Sequence, residues 1–165
     1  MSTEFFVRAF EPDDFAAVTE VMNQPRAVWG TLHSPYSSVE ARQKKHAALP
    51  TTDRLLVALT AGKVIGLAGL HATDNRRRAH VASIGMAVHD AYAGRGAGRV
   101  MLAALIELAD RWLNYKRLEL NVWADNSRAI ALYEKAGFER EGLHRAFAWR
   151  DGSYADAIPM ARLRL

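Results

Sequence analysis

The chain has 165 residues, of which 50% are hydrophobic and 24% charged, proportions typical of one globular domain that we predict to cover residues 1–165. It contains no cysteine, which excludes disulfides, thiolate metal sites and a cysteine nucleophile, and no metal is predicted. No apolar run approaches the ~18 residues of a membrane span, and the N-terminus turns acidic too early for a signal peptide. We therefore expect a cytoplasmic protein without membrane contact. The net charge of +4 comes with no nucleic-acid motif, so we expect no nucleic-acid partner and interpret the charge as attraction for a polyanionic cofactor.

In chain order, the apolar pattern predicts a strand, two helices, three strands, and then alternating helices and strands that end in a hairpin. Pro12 suits the first position of a helix, and the two acids after it suit the positive end of the helix dipole. Gly62 lies in a turn between two apolar runs, which indicates a hairpin, and Gly85 inside a strand is typical of a bulge or a close backbone approach. The predicted strands are 5–10, 54–59, 64–70, 80–88, 118–122, 139–149 and 154–163. The first predicted helix opens at 12, and the others cover about 38–49, 100–113 and 126–136, the last with Asn126 as its N-cap and Gly137 after its end. The segment 25–35 is predicted to be irregular. This order favours a single α/β domain with a mixed sheet.

The central motif is the glycine-rich turn 93–99, AGRGAGR, which follows a predicted strand and opens the clearest predicted helix. Three glycines allow a tight turn with no Cβ in the way, so the backbone N–H groups of 94–99 can converge on an anion at the positive end of a helix. Arg95 and Arg99 add charge at its edge. A diphosphate is the natural ligand for such a turn.

Two other interpretations of the turn remain open at this point. It could be a flexible connection without a ligand, or the dinucleotide fingerprint G-x-G-x-x-G of an oxidoreductase, with Glu119 near the position of the ribose-binding acid. The position of the third glycine of that fingerprint is held by Arg99, however, and the turn lies more than ninety residues into the chain rather than in a first strand–helix unit. No Lys-Ser/Thr pair follows the turn, which excludes a Walker A loop.

The segment Val88-His89-Asp90 with the turn 94–99, followed by Asn126 and Tyr133 within NSRAIALYEKAGF, resembles the GCN5-related N-acetyltransferases (GNAT) over essentially the whole chain. The resemblance implies a single-domain GNAT fold of the α/β class, with flanking helices and a mixed, mostly antiparallel sheet that splays between two central strands. It also implies transfer of an acetyl group from acetyl-CoA to an amine by direct attack. Ala93 departs from the family pattern, which usually has Arg or Gln there. The family is often dimeric, so a homodimer is also implied.

Site residues follow from the resemblance position by position. Tyr133 would be the general acid toward the leaving thiolate, and it lies two helical turns after Asn126, on the same face. The residues implied for acetyl-CoA are Met86, Ala87 and Val88 for the pantetheine arm through their backbone, Gly94, Arg95, Gly96, Ala97, Gly98 and Arg99 for the pyrophosphate, and Asn126 for the pantetheine. Relatives often carry a glutamate base where this chain has Ser83 or Asn121. Glu119 and His80 are weaker candidates for the base, and none is assigned.

The acceptor site of this fold forms from the loop after the first helix and from the final hairpin. The residues predicted to bind the acceptor are Trp29, Thr31, Leu32, His33, Tyr36 and Trp149, with Arg145 or Arg150 as a partner for a carboxylate. The segments 31–35 and 150–156 further resemble bacterial L-amino-acid N-acetyltransferases that act on phenylalanine and methionine. We therefore expect a hydrophobic L-amino acid or short peptide as acceptor. A protein N-terminus or xenobiotic amine, or a non-catalytic CoA-binding regulatory domain, are the alternatives.

Overall fold

The structure, a computed structural model, describes residues 3–165, which form a mixed sheet of eight strands and five α-helices. The strands are β1 Phe6–Ala9, β2 Arg54–Thr60, β3 Lys63–Ala72, β4 Val81–Val88, β5 Arg117–Trp123, β6 Glu139–Arg140, β7 His144–Arg150 and β8 Ser153–Leu163. The helices are α1 Phe15–Met22, α2 Pro25–Gly30, α3 Val39–Ala47, α4 Ala97–Glu107 and α5 Ser127–Lys135. The predicted α/β class, with a mixed, mostly antiparallel sheet, is confirmed. Among residues 3–165, no helix is long and apolar enough to cross a membrane.

Three predicted elements are wrong in their extent. The segment 25–35 is not irregular throughout, because Pro25 occupies the first turn of a helix, as Pro12 does before α1. The predicted strand 139–149 is two strands, since the chain breaks at Gly142 with φ 149°. The helix predicted from Val100 begins three residues earlier, at Ala97, and its last turn, Leu108–Trp112, is π-helical.

The chain forms two compact units, the first comprising the residues up to His71 together with Gly85–Leu105. In this unit β1 and β3 each pair antiparallel with β2, with Phe6 opposite Leu59 and Thr60 opposite Lys63. The β2–β3 hairpin closes through Ala61 and Gly62, both with positive φ, as a tight two-residue turn requires. One cluster of buried side chains in this unit consists of Val18, Val57 and Val64.

Helix α4 packs closely on β3 at Gly66. A Cβ built at this glycine would lie 3.0 Å from Sδ and Cε of Met101, a side chain with no exposed surface. The start of α1 is fixed by Asp14, whose carboxylate accepts two hydrogen bonds from Arg8 at 2.8 and 2.9 Å and one from the N–H of Glu11 at 2.8 Å. Close packing at Gly66 therefore holds α4 against β3 within this unit.

The second unit comprises Ala72–Ile84 with Ile106–Leu165. The described ladder between β4 and β5 is parallel and covers the first three residues of each strand, Val81–Ser83 opposite Arg117–Glu119. Strand β5 pairs antiparallel with β8 along its whole length, and β6 and β7 also pair with β8. Leu118 and Met160 are fully buried on these strands.

The end of β8 is tied to the π-helical turn that follows α4. Arg162 donates two hydrogen bonds to the carboxylate of Asp110, at 2.9 and 2.8 Å, and Arg164 forms an ion pair with the same group at 3.3 Å. The hydrogen bonds from Arg162 hold the pKa of the Asp110 carboxyl below its usual value. This ion cluster therefore stabilises the folded unit most when Asp110 is ionised.

Candidate active site

The glycine-rich turn ends in the N-terminus of α4, as predicted. Gly94 and Gly96 have φ of 80° and 98°, a region that favours glycine, so two of the three glycines are needed for the course of the backbone. The N–H of Val100 donates to the carbonyl of Gly96 at 3.1 Å, the first hydrogen bond of the helix. The N–H groups of the first turn before Val100 have no partner inside the helix, and they carry the positive end of its dipole. This turn can bind an anion through its backbone.

Two arginines line the cavity next to the turn. The cavity, of about 460 Å³, is lined by Thr3, Glu4, Phe5, Arg95, Gly96, Arg99 and Val100. The guanidinium of Arg95 lies over the ring of Tyr92, 5.7 Å from its centroid, which orients it at the edge of the turn. The cavity is open to solvent, and its lining combines the cationic side chains of Arg95 and Arg99 with one acid, Glu4.

The residues just before the turn hold the start of α2, a contact for which the sequence carries no local signal. Asp90 accepts a hydrogen bond from the N–H of Arg26 at 3.2 Å, where α2 begins. The neighbouring His89 donates its N–H to the carbonyl of Ile65 at 2.8 Å, and its ring contacts Glu20 at 3.2 Å. The residues that lead into the glycine-rich turn therefore also hold the start of α2, the helix that precedes the predicted acceptor loop.

The loop between α2 and α3 contains most of the residues predicted to bind the acceptor. Thr31 donates its hydroxyl hydrogen to the carbonyl of Ala27 at 2.7 Å, so the start of the loop is fixed. Its end is fixed by Asn23, whose amide donates to the carbonyl of Ser37 at 2.8 Å and accepts from its N–H at 2.9 Å. Trp29, Thr31 and His33 are partly buried, whereas Leu32 is 69% and Tyr36 96% exposed.

Basic side chains of α3 lie beside this loop. The Nζ atom of Lys45 is 3.4 Å from Nδ1 of His33. Burial, and then the charges of Lys45 and Arg42, lower the pKa of His33 to about 4, so its ring is neutral near pH 7. The buried Nε atom of Arg42 has no hydrogen-bond partner among the described residues. We call Arg42, Lys45 and His33 the loop–α3 basic cluster.

In the second unit, Asn126 caps the N-terminus of α5 and Tyr133 lies within this helix, as predicted. The side chain of Asn126 caps the helix by accepting from the N–H of Ala129 at 3.2 Å, which leaves its amide hydrogens available as donors. Tyr133 is buried, with its ring edge-on to Phe138 at 5.7 Å between centroids. Burial raises the pKa of Tyr133 to about 12, so its hydroxyl stays protonated at neutral pH.

The hairpin β7–β8 carries an exposed aromatic pair. Trp149 and Tyr154 face each other edge to face at 4.9 Å and are 63% and 68% exposed. Arg150, one of the two predicted carboxylate partners, donates to Asp125 at 3.0 Å and lies 4.8 Å from the centroid of the Trp123 ring. Its charge is thus already matched by an acid.

The family of the chain follows from its similarity to known proteins. A model of the acetyltransferase (GNAT) family matches residues 16–138. The chain belongs to the GNAT family. The L-amino acid N-acetyltransferase AaaT of Escherichia coli (strain K12) is 36% identical over 162 residues, which cover 98% of this chain and 99% of that protein.

Two further proteins similar to this acetyltransferase are also named as acetyltransferases. The N-alpha-acetyltransferase RimI of Mycobacterium tuberculosis (strain ATCC 25618 / H37Rv) is 35% identical over 105 residues, which cover 64% of this chain and 63% of that protein. A crystal structure of spermidine N-acetyltransferase from Vibrio cholerae in complex with CoA and spermine has a TM-score of 0.85 and 25% identity, covering 96% of this chain and 95% of that one. The enzyme is therefore an acetyl-CoA-dependent N-acetyltransferase, as the resemblance implied.

No general base is assigned in this acetyltransferase. Glu119, one candidate, is ion-paired with Arg78 and Arg117, each at 2.8 Å. Burial opposes its ionisation, but the hydrogen bonds from Arg117 and Arg78 outweigh burial and hold the pKa of Glu119 below its usual value. A carboxylate held this way is a weaker base than a free one.

Proposed function

We propose that this enzyme transfers the acetyl group of acetyl-CoA to the α-amine of a hydrophobic L-amino acid or short peptide. The observation that carries the proposal is the full-length similarity to AaaT, whose name gives L-amino acids as its acceptors. Exposed apolar side chains on the α2–α3 loop, Leu32 above all, suit an acceptor with an apolar side chain.

We propose that acetyl-CoA binds at the glycine-rich turn 94–99 of the first unit. The free N–H groups at the start of α4, with Arg95 and Arg99 beside them, would hold the diphosphate. The backbone of Met86–Val88 would bind the pantetheine arm, and the amide hydrogens of Asn126 would add a contact to it. Ala87 contributes its side chain to a core cluster, which agrees with a backbone role for this strand.

In the proposed reaction the amine nitrogen attacks the thioester carbonyl, the C–S bond breaks, and the amine loses one proton to water. Tyr133 donates a hydrogen bond to the sulfur as negative charge develops there. Because a phenol with a pKa of about 12 is a weaker acid than a thiol, the hydrogen bond contributes more than complete proton transfer does. The thiolate then takes a proton from solvent.

Thiol release tests this proposal over an amine panel with acetyl-CoA as donor. L-phenylalanine, L-methionine and dipeptides that begin with them should give the highest kcat/KM. Spermidine, an aminoglycoside and a long peptide that mimics a protein N-terminus complete the panel. Release of CoA with polyamines or aminoglycosides alone would reject the proposal, and preference for the long peptide would favour a protein N-terminus as the acceptor.

A further inference from the structure

The loop–α3 basic cluster holds charge that no acid in the described chain neutralises. Arg42 and Lys45 are three residues apart on α3 and so share one face of the helix. The acid of this helix, Glu40, forms its ion pair with Lys44 at 2.8 Å instead. Neither Arg42 nor Lys45 has an acidic partner within ion-pair distance among residues 3–165. The cluster is therefore a concentration of positive charge beside the acceptor loop.

Arg42 is the unusual member of the cluster. Its side chain is partly buried, and its Nε atom is buried and makes no hydrogen bond, although a buried polar atom is ordinarily paired. Burial lowers the pKa of Arg42, as expected for a charge partly removed from water without a counter-charge. A ligand that brings a planar anion to this guanidinium would supply the missing counter-charge.

The position of the cluster is fixed before any ligand arrives. His33 lies in a loop that is held at one end by Thr31 and at the other by the paired hydrogen bonds between Asn23 and Ser37. The N-terminus of α3 is capped by Ser38, whose hydroxyl accepts from the N–H of Ala41 at 3.0 Å. A site built on such fixed elements loses little conformational freedom when it binds.

We propose that Arg42, with Lys45 beside it, binds the carboxylate of the acceptor, so that the enzyme selects amines that carry an α-carboxylate. The inference rests on the proposed function, because it names the group by which that function's acceptor is recognised. It reassigns the carboxylate partner from Arg150, whose charge is matched by Asp125. The same two cations would repel a polyamine acceptor.

The test compares L-phenylalanine with its amide, L-phenylalaninamide, which lacks the carboxylate charge. The measured quantity is kcat/KM for L-phenylalanine divided by kcat/KM for its amide. The two amines differ in basicity, but this difference is the same for every variant, so it does not affect the comparison of the ratio between variants. Arg42→Gln should lower the ratio about tenfold to a hundredfold, the effect of losing charge-assisted hydrogen bonds. Lys45→Gln should lower it less, and Arg42→Lys should lie between wild type and Arg42→Gln.

Lys44→Gln is the matched control, because it removes the same charge from the same helix at a residue already paired with Glu40. Its ratio should stay within about twofold of wild type. Thermal unfolding shows whether Arg42→Gln folds. If it does not, the ratio measured for Lys45→Gln tests the inference, because Lys45 is exposed and its replacement should not disturb the fold. An unchanged ratio in the folded variants overturns the inference. So does a raised KM for acetyl-CoA with an unchanged ratio, since the cluster would then serve a cofactor phosphate.

A binding measurement separates this inference from the proposed function. 3-Phenylpropionate has the carboxylate and the ring but no amine, so calorimetry with it requires no turnover. We expect wild type to bind it and Arg42→Gln to bind it at least about tenfold more weakly. If no amino acid releases CoA but this difference is found, the proposed function fails and the carboxylate site stands. Equal binding by both proteins overturns the site even if amino acids are acetylated.

Discussion

Replacing Gly96 by alanine tests whether the turn 94–99 binds the cofactor through its backbone. Gly96 has φ +98°, and a Cβ there would lie 3.9 Å from Nη2 of Arg99, an ordinary contact. The substitution therefore causes no clash, and its cost to the folded protein is the backbone strain of a side chain at positive φ, about 1–2 kcal/mol. Gly96→Val would add a branched side chain where the diphosphate is proposed to lie, and should abolish binding.

Gly62→Ala is the control, because Gly62 has φ +76° in the β2–β3 turn and nothing lies within 4 Å of a Cβ built there. Both variants should lose a similar free energy of unfolding. CoA binding should distinguish them, because strain at Gly96 reorients N–H donors whose charge-assisted hydrogen bonds contribute about 1.5–3 kcal/mol each.

Calorimetric titration with CoA measures the difference directly. We expect Gly96→Ala to bind CoA at least about tenfold more weakly than wild type, and Gly62→Ala to bind it as wild type does. The rise in unfolding temperature on adding CoA should shrink in parallel. Equal affinities of all three proteins would refute a backbone anion site at this turn.

Three further predictions concern catalysis, packing and acid stability. Tyr133→Phe should lower kcat by about tenfold or more while CoA affinity stays unchanged, and an unaltered kcat in the thiol-release assay would remove this hydroxyl from the mechanism. Gly66→Val should lower the unfolding free energy by about 1–3 kcal/mol in denaturant titration, because the larger side chain would press on the fully buried Met101 and on Cβ of Ala58, 3.3 Å from a Cβ built at Gly66; a variant as stable as wild type contradicts this. Since the pKa of Asp110 is lowered in the folded state, the unfolded chain binds more protons, and stability should fall as pH drops below about 4. Asp110→Asn should flatten that fall, and an identical pH dependence would show that the pair with Arg162 does not contribute.

Local chemistry makes most of the fold predictable. Asn126 and Gly137 mark the two ends of α5 because a cap and a positive φ require those residue types, and the structure has both. Helix α2 escapes prediction because six residues give too little periodicity, although Pro25 is the same signal as Pro12. The π-helical turn before Leu113 has no local sequence signal.

The candidate site is predictable where backbone conformation demands glycine, and less so where pairing decides the role of a side chain. Gly94 and Gly96 identify the turn from the sequence alone. Arg150 and Arg42 are the same residue type, and the sequence does not distinguish them. Only the structure shows that Arg150 is ion-paired with Asp125, whereas the Nε atom of Arg42 is buried and makes no hydrogen bond. Composition and local pattern do not predict whether a charged side chain finds a partner that lies far away in the sequence.

The double hydrogen bond of Asn23 to the backbone of Ser37 imitates the pairing of two strands and closes residues 23–37 into a ring. One end of this ring is held by the side-chain amide of Asn23 and the other by the main-chain N–H and carbonyl of Ser37. Side chains within it, such as Leu32 and Tyr36, project outward and carry little of the core. Substitutions at these two exposed positions should therefore change the surface of the loop with little effect on the stability of the fold.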